Sequence, residues 1–295
     1  MTEDGLIQHA SQDRRPWVTI FSSIVCVLIF IGTAVQGEYD SWEAVSKFGY
    51  IDAGSIREGA LWGLVTSAFV HYEIWHIAFN VYWLWVLGRA IETAIGSTRF
   101  AVFFVLAAFV SSAAQLALTD DTGIGASGVG YAMFGFMWLA RDHYARFNEV
   151  LDQRTIRVFL VWLCACIVVT YFGILNVANA AHIGGLAFGG GVAIAFVLRV
   201  RARLSLAALV VLSATSVFWA PWSFTWLCQA AVTAENKGQD EKAIELYGKA
   251  IGLEPTHRWA YLRRYQIHVK LGQIELAREY YGRARVLDPT LDEWN

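Results

Sequence analysis

Apolar residues run through the first three-quarters of the chain in long uncharged stretches, not in the alternations of half-buried strands or surface helices. Stretches of about 20 such residues read as helices that cross a bilayer. Pro16 to Gly37 carries no charge and forms the first span. Ile74 to Gly88 is uncharged and Trp-rich, and is predicted to continue to about Ala94. Phe100 to Thr119 and Thr122 to Ala140 are the third and fourth spans. Val158 to Leu198 holds no Asp, Glu, Lys or Arg, enough for two more helices with a turn near Gly173–Asn179. A seventh span runs from Leu204 to near Pro221 and Trp222. Tyr39 to Tyr72 mixes Asp, Glu and Gly and reads as a long extramembrane loop. The expected architecture is all-α: a polytopic membrane bundle of six helices plus a seventh span, followed by a small soluble helical domain.

Basic residues near the span ends set the orientation. With seven spans, one side receives Arg14, Arg15, Arg89, Arg99, Arg141, Arg146, Arg154, Arg157, Arg199, Arg201 and Arg203. The loops on the other side receive Lys47 and Arg57 before Leu204. The N-terminus is therefore expected in the cytoplasm, with everything after the seventh span outside, in a bacterial plasma membrane. Residues 1–16 form a cytoplasmic tail; they are too polar, and the following run too long, for a cleaved signal. Composition agrees with a membrane protein: 56% of residues are hydrophobic and 16% charged, against roughly 25% charged in soluble domains. The net charge of −2 argues against nucleic-acid binding. Cys26, Cys164, Cys166 and Cys228 sit in apolar stretches and give neither a disulfide framework nor a metal site.

After about Trp226 the chain becomes water-soluble in character, with ten basic and ten acidic residues from Glu235 to Asn295. Gly238, Ala243, Tyr247, Ala250, Leu253 and Pro255 recur 34 residues later as Gly272, Ala277, Tyr281, Ala284, Leu287 and Pro289. That period and spacing resemble the tetratricopeptide repeat, a pair of antiparallel helices per unit. Two units fall short of the three or more that usually bury a continuous core. Support is expected from the membrane domain, another chain or a ligand.

Chemistry must come from the few polar residues inside the spans. Apart from Glu92, intramembrane carboxylates are nearly absent, which disfavours an ion-coupled transporter. His71, His76 and Asn80 open span two; His76 and Asn80 are four apart and share a helix face. Ser127 lies in Gly123-Ile-Gly125-Ala-Ser127-Gly-Val-Gly-Tyr131, at the predicted N-terminal end of span four. Free N–H groups there favour a developing oxyanion. His182 adjoins Ala181, Gly185 and Gly189, a stripe of small residues suited to close helix packing. All three spans begin on the same side, so Ser127 and His182 are expected near one membrane surface with His76 and Asn80. A Ser beside a His is the minimum apparatus for nucleophilic catalysis.

These motifs resemble the rhomboid intramembrane serine proteases over roughly residues 17 to 200. The resemblance rests on His76-x3-Asn80, Gly125-Ala-Ser127-Gly128, Tyr131 and Ala181-His182-x2-Gly185-x3-Gly189, with Gly88, Glu92 and Gly96 at the end of span two. It implies Ser127 as nucleophile and His182 as its base. His76 and Asn80 would serve the oxyanion hole, and Tyr131 would pack on the imidazole. Gly125 and His71 are expected to shape the site. One departure is visible: Trp62-Gly63 stands where many members carry Trp-Arg, which puts the usual anchoring of that loop in question. The expected domains are 1–16, 17–200, 201–223 and 224–295. The expected activity is cleavage of transmembrane protein substrates near the outer face by a Ser–His dyad. No metal or cofactor is implied, and the repeats would recruit substrate or a partner. The alternatives are a non-proteolytic relative that binds and escorts membrane proteins, or a scaffold that acts through the repeats.

Overall fold

A computed structural model of the chain describes residues 15–35, 42–198 and 203–291. Most of the expected tail with Arg14, the end of the first run at Gly37, and Arg199 and Arg201 at the 200/201 boundary lie outside the described residues. Among those described, all regular structure is helical. The chain divides into two compact units between Val217 and Phe218.

The longer helices of the first unit, numbered in chain order, are α1 (Trp17–Val35), α2 (Ile74–Trp83), α3 (Arg89–Ile95), α4 (Ser97–Thr119), α5 (Ser127–Ala140), α6 (Gln153–Tyr171), α7 (Asn179–Val192) and α8 (Arg203–Phe218). A π-helical segment, Leu84–Gly88, joins α2 to α3, and another, Ala193–Leu198, extends α7. Four of them (α1, α4, α6 and α7 with its extension) are long and apolar enough to cross a membrane. The 16 residues of α8 rise about 24 Å, short of a hydrocarbon core of about 30 Å.

Two elements differ from expectation. The fourth run becomes helical at Ser127, five residues later than its apolar stretch begins. Gly123 and Gly125 have φ of +66° and +97°, and left-handed residues cannot continue a right-handed helix. The expected loop before α2 is folded. It holds the helical turns Trp42–Ser46, Ala53–Arg57, Gly63–Thr66 and Ser67–Phe69, and it buries Ile56, Leu64, Val70 and His71. Ile56 and Leu64 pack with Ala113 and Leu116 of α4, and Val70 with Val45 and Tyr50.

Helix α5 forms the centre of this unit; every residue from Gly128 to Met137 is buried. It meets α7 with backbone almost touching backbone. A Cβ at Gly185 would collide with the Gly128 carbonyl oxygen, and one at Gly189 with that of Ala132. A Cβ at Gly135 would strike the Leu186 carbonyl oxygen. On the other side, Gly128 lies against Ser111 and Gly184 against Ala114 of α4. Rings of Phe103, Phe136 and Phe188 fill the space farther along, at centroid separations of 5.5 and 5.7 Å from Phe103. The small-residue stripe thus sets how close Ser127 and His182 come.

The second unit contains α9 (Phe224–Asn236), α10 (Asp240–Leu253), α11 (Arg258–Lys270) and α12 (Ile274–Leu287). Each limit of α9 and α10 recurs 34 residues on in α11 and α12, and Gly238 and Gly272 both turn the chain at φ +69°. Ala243, Ala250, Ala260, Ala277 and Ala284 are buried where helices approach closely, and Tyr247 fills the gap against Trp259. Arg263 pairs with Glu235, and Lys270 with Asp240 at 2.8 Å, so charges tie the second hairpin to the first.

Candidate active site

Ser127 is the first residue of α5, and its N-cap, Ala126, has no side chain able to satisfy the helix's first N–H groups. Those groups have no partner within the helix. His182 occupies the first turn of α7, and the start of that helix is pinned from two sides. Gln115 of α4 accepts the Ala181 N–H at 3.1 Å. Asn179 donates to the Thr170 hydroxyl at 2.9 Å, tying α7 to the end of α6. With both helices held, Ser127 Oγ and His182 Nε2 lie in hydrogen-bond contact at 2.8 Å. His182 is 3% exposed, and its Nδ1 is buried with no hydrogen-bond partner among the described residues. Tyr131, one turn along from Ser127, lays its ring 4.7 Å from the imidazole at 34°. Its hydroxyl donates to the Phe159 carbonyl at 3.1 Å, which fixes the ring.

The second cluster comes from the start of α2. His71 is fully buried. Its Nδ1 lies 3.2 Å from the Phe69 carbonyl, which can only accept, so Nδ1 carries the proton and Nε2 is an acceptor. That Nε2 takes an amide hydrogen from Asn80 at 3.0 Å and the Ala126 N–H at 3.4 Å. His71 therefore links Asn80 to the residue preceding Ser127. The His76 ring stands edge-on to His71 at 4.9 Å. Gly125 lies beneath both donors: a Cβ there would sit 2.5 Å from His76 Nε2 and 3.1 Å from Asn80 Nδ2. Glycine is thus required twice, for its φ of +97° and for the room it leaves.

One cavity of about 520 Å³ is shared by His76, Asn80, Ser127, Tyr131, Trp162 and His182. The residues singled out from the sequence surround this space, apart from Gly125 and His71, which lie directly behind it.

Residues 58–201 match the Rhomboid domain family, and residues 227–257 match a tetratricopeptide repeat family. The chain carries a rhomboid domain. With its apolar helices it is an integral, multi-pass membrane protein, and its second unit belongs to a class of repeat that mediates protein–protein contact.

Within the rhomboid domain, sequence reasoning missed Gln115. Its signal was present: it is the one amide side chain in the uncharged run from Phe100 to Thr119. Glu92 was seen but given no role. It is 1% exposed and accepts hydrogen bonds from the Val18 and Thr19 N–H groups, the Thr19 hydroxyl and the Ser97 hydroxyl. It thereby caps the start of α1 from another helix. Gly63 is buried, and a Cβ there would meet Ile51 and Ile56. The Gly63 position of the Trp62-Gly63 departure therefore has no room for a larger side chain.

Proposed function

We propose that the protein is an intramembrane serine endopeptidase in which Ser127 and His182 form a catalytic dyad. The observation that carries this reading is the 2.8 Å contact between Ser127 Oγ and His182 Nε2, which lies within reach for direct proton transfer. The Ser127 hydroxyl proton passes to Nε2 as Oγ bonds to a peptide carbonyl carbon. The carbonyl oxygen becomes an oxyanion facing the Ser127 N–H and the side chains of Asn80 and His76. His182 then returns the proton to the leaving amine as the C–N bond breaks, and water hydrolyses the acyl-enzyme by the same route in reverse. Tyr131 holds the imidazole by ring packing, with no acidic partner at Nδ1 among the described residues.

Depth in the membrane fits this chemistry. The 14 residues of α5 rise about 21 Å, while the hydrocarbon core is about 30 Å thick. With Arg141 at one interface, Ser127 lies below the opposite one, in a cavity where the side chains of His76, Asn80, Gln115 and His182 offer hydrogen-bond partners to water. The substrate class is a transmembrane protein. A helical amide is covered and hydrogen-bonded, so segments with Gly, Pro or polar residues are favoured as cleavage sites. The repeats recruit the substrate or a partner that carries it, which raises effective concentration without altering the chemical step. The test is cleavage of a tagged single-span reporter in liposomes. Ser127→Ala, His182→Ala and the double variant should be comparably inactive, because members of one catalytic unit are non-additive. Full cleavage by Ser127→Ala removes the protease reading and leaves the escort or scaffold role.

A further inference from the structure

Residues 119–125 connect α4 to the turn before Ser127, and three of them are left-handed. Asp120 has φ +56°, the one non-glycine residue with positive φ among those described, followed by Gly123 and Gly125. A segment bent this way keeps one shape only where its surroundings impose it. Here the constraint comes from the folded stretch before α2. Arg57 Nη2 donates to Asp120 Oδ1 at 2.8 Å, with the Arg57 side chain 3% exposed. The Tyr50 hydroxyl donates to Asp121 Oδ1 at 2.6 Å, and the same oxygen accepts the Gly123 N–H at 2.8 Å. Burial, reinforced by Asp121, holds the Tyr50 phenol above its ordinary pKa, so it remains a donor. The Gly125 N–H reaches the Ser67 carbonyl at 3.1 Å.

We infer that Tyr50 and Arg57 are positioning residues. Their clasp on Asp121 and Asp120 fixes segment 119–125, and so fixes the height of Gly125 under His76 and Asn80. Both precede residue 58, where the family match begins, and they anchor this stretch in a chain whose Gly63 leaves no room for an arginine. The Ser127–His182 contact does not depend on the clasp, because α5 and α7 meet through their own backbones. The clasp acts on the oxyanion half of the site alone.

This inference rests on the protease reading, and its test separates the two. The full-length protein in liposomes is assayed on a single-span reporter for kcat, KM and pH profile, with a thermal melt for each variant. Tyr50→Phe removes one hydroxyl and should lower kcat about tenfold at unchanged KM, the worth of a hydrogen bond to a charged group. Asp121→Ala should do the same or more. Asp121→Asn keeps an acceptor for Tyr50 and Gly123 and should restore most of kcat. The pH profile should not move. Tyr50→Phe combined with Asn80→Ala should be no slower than Asn80→Ala alone, since both remove one function. Wild-type kcat in Tyr50→Phe, or losses that multiply in the double variant, overturns the clasp while the protease reading stands. A wild type no faster than Ser127→Ala overturns both. Where Asp121→Ala fails to fold, Tyr50→Phe and Asp121→Asn carry the decision.

Discussion

Replacing Glu92 by Gln tests how the first helix is held, because the change alters one atom and almost no volume. The carboxylate receives four hydrogen bonds: Val18 N–H and the Ser97 hydroxyl on one oxygen, at 2.9 and 2.6 Å, and Thr19 N–H and hydroxyl on the other, at 2.9 and 2.8 Å. A glutamine must turn its NH2 toward one of these pairs. The hydroxyl of that pair can rotate to accept, but the backbone N–H cannot. One buried amide then faces a donor, which costs about 1–3 kcal/mol. The lost negative charge at the N-terminus of α1 removes up to about 2 kcal/mol more in such a sheltered place. The expected loss is therefore about 1–5 kcal/mol, centred near ~3, against about 1 kcal/mol for Thr19→Val, which removes a single hydroxyl contact. The assay is thermal and denaturant unfolding of the purified protein in one detergent, with circular dichroism as readout. Glu92→Gln melting with the wild type would refute the remote-cap argument, since among the described residues no other side-chain acceptor meets the Val18 and Thr19 N–H groups.

Three further outcomes follow from the same geometry. Gly189→Ala should destabilise by about 1–3 kcal/mol or more, because its methyl meets the Ala132 carbonyl. Gly190→Ala, which faces only the flexible end of Leu139, should melt near the wild type. Asn80→Ala should lower kcat about 10–1,000-fold with little change in KM. His71→Phe should move kcat in the same direction by freeing the Asn80 amide, and a rise in KM alone in either would give these residues to substrate binding. Deleting the repeats from Phe224 onward should slow processing of a natural substrate while sparing a short transmembrane reporter. A reporter domain fused after Asn295 that proves cytoplasmic would end the recruitment idea, since the repeats and Ser127 would face opposite sides of the bilayer.

What could be read from the sequence was whatever repeats at short range. His76 and Asn80 are one turn apart; Ala181, Gly185 and Gly189 are spaced at four; the helical repeats keep a 34-residue offset down to the φ of Gly238 and Gly272. What could not be read was contact across long separations with no period. Glu92 meets Val18 and Thr19 across 74 and 73 residues, Gln115 meets Ala181 across 66, and Arg57 meets Asp120 across 63. Hydropathy also misplaced the start of α5. Thr122 to Ala126 carries no charge, and the backbone angles of two glycines, which no hydropathy scale weighs, keep it out of the helix.

The two halves of the site are built to different tolerances, and this bears on how such a site evolves. Ser127 and His182 stand on α5 and α7, where carbonyl oxygens at Gly128 and Ala132 abut glycines and no side chain intervenes. A shift of Ser127 relative to His182 would require two packed helices to slide past each other, and close-packed interiors resist that. Asn80, His76 and Gly125 instead reach the cavity through His71, a turn with left-handed residues, and clasps from the stretch before α2. Those supports are single hydrogen bonds and one ion pair, each replaceable by another partner of the same geometry. The Trp62-Gly63 stretch therefore needs no arginine of its own where Arg57 and Tyr50 hold the loop, whereas a side chain at Gly185 or Gly189 has nowhere to go. Sequence departures from the rhomboid pattern should accordingly collect around the oxyanion supports and spare the α5–α7 seam.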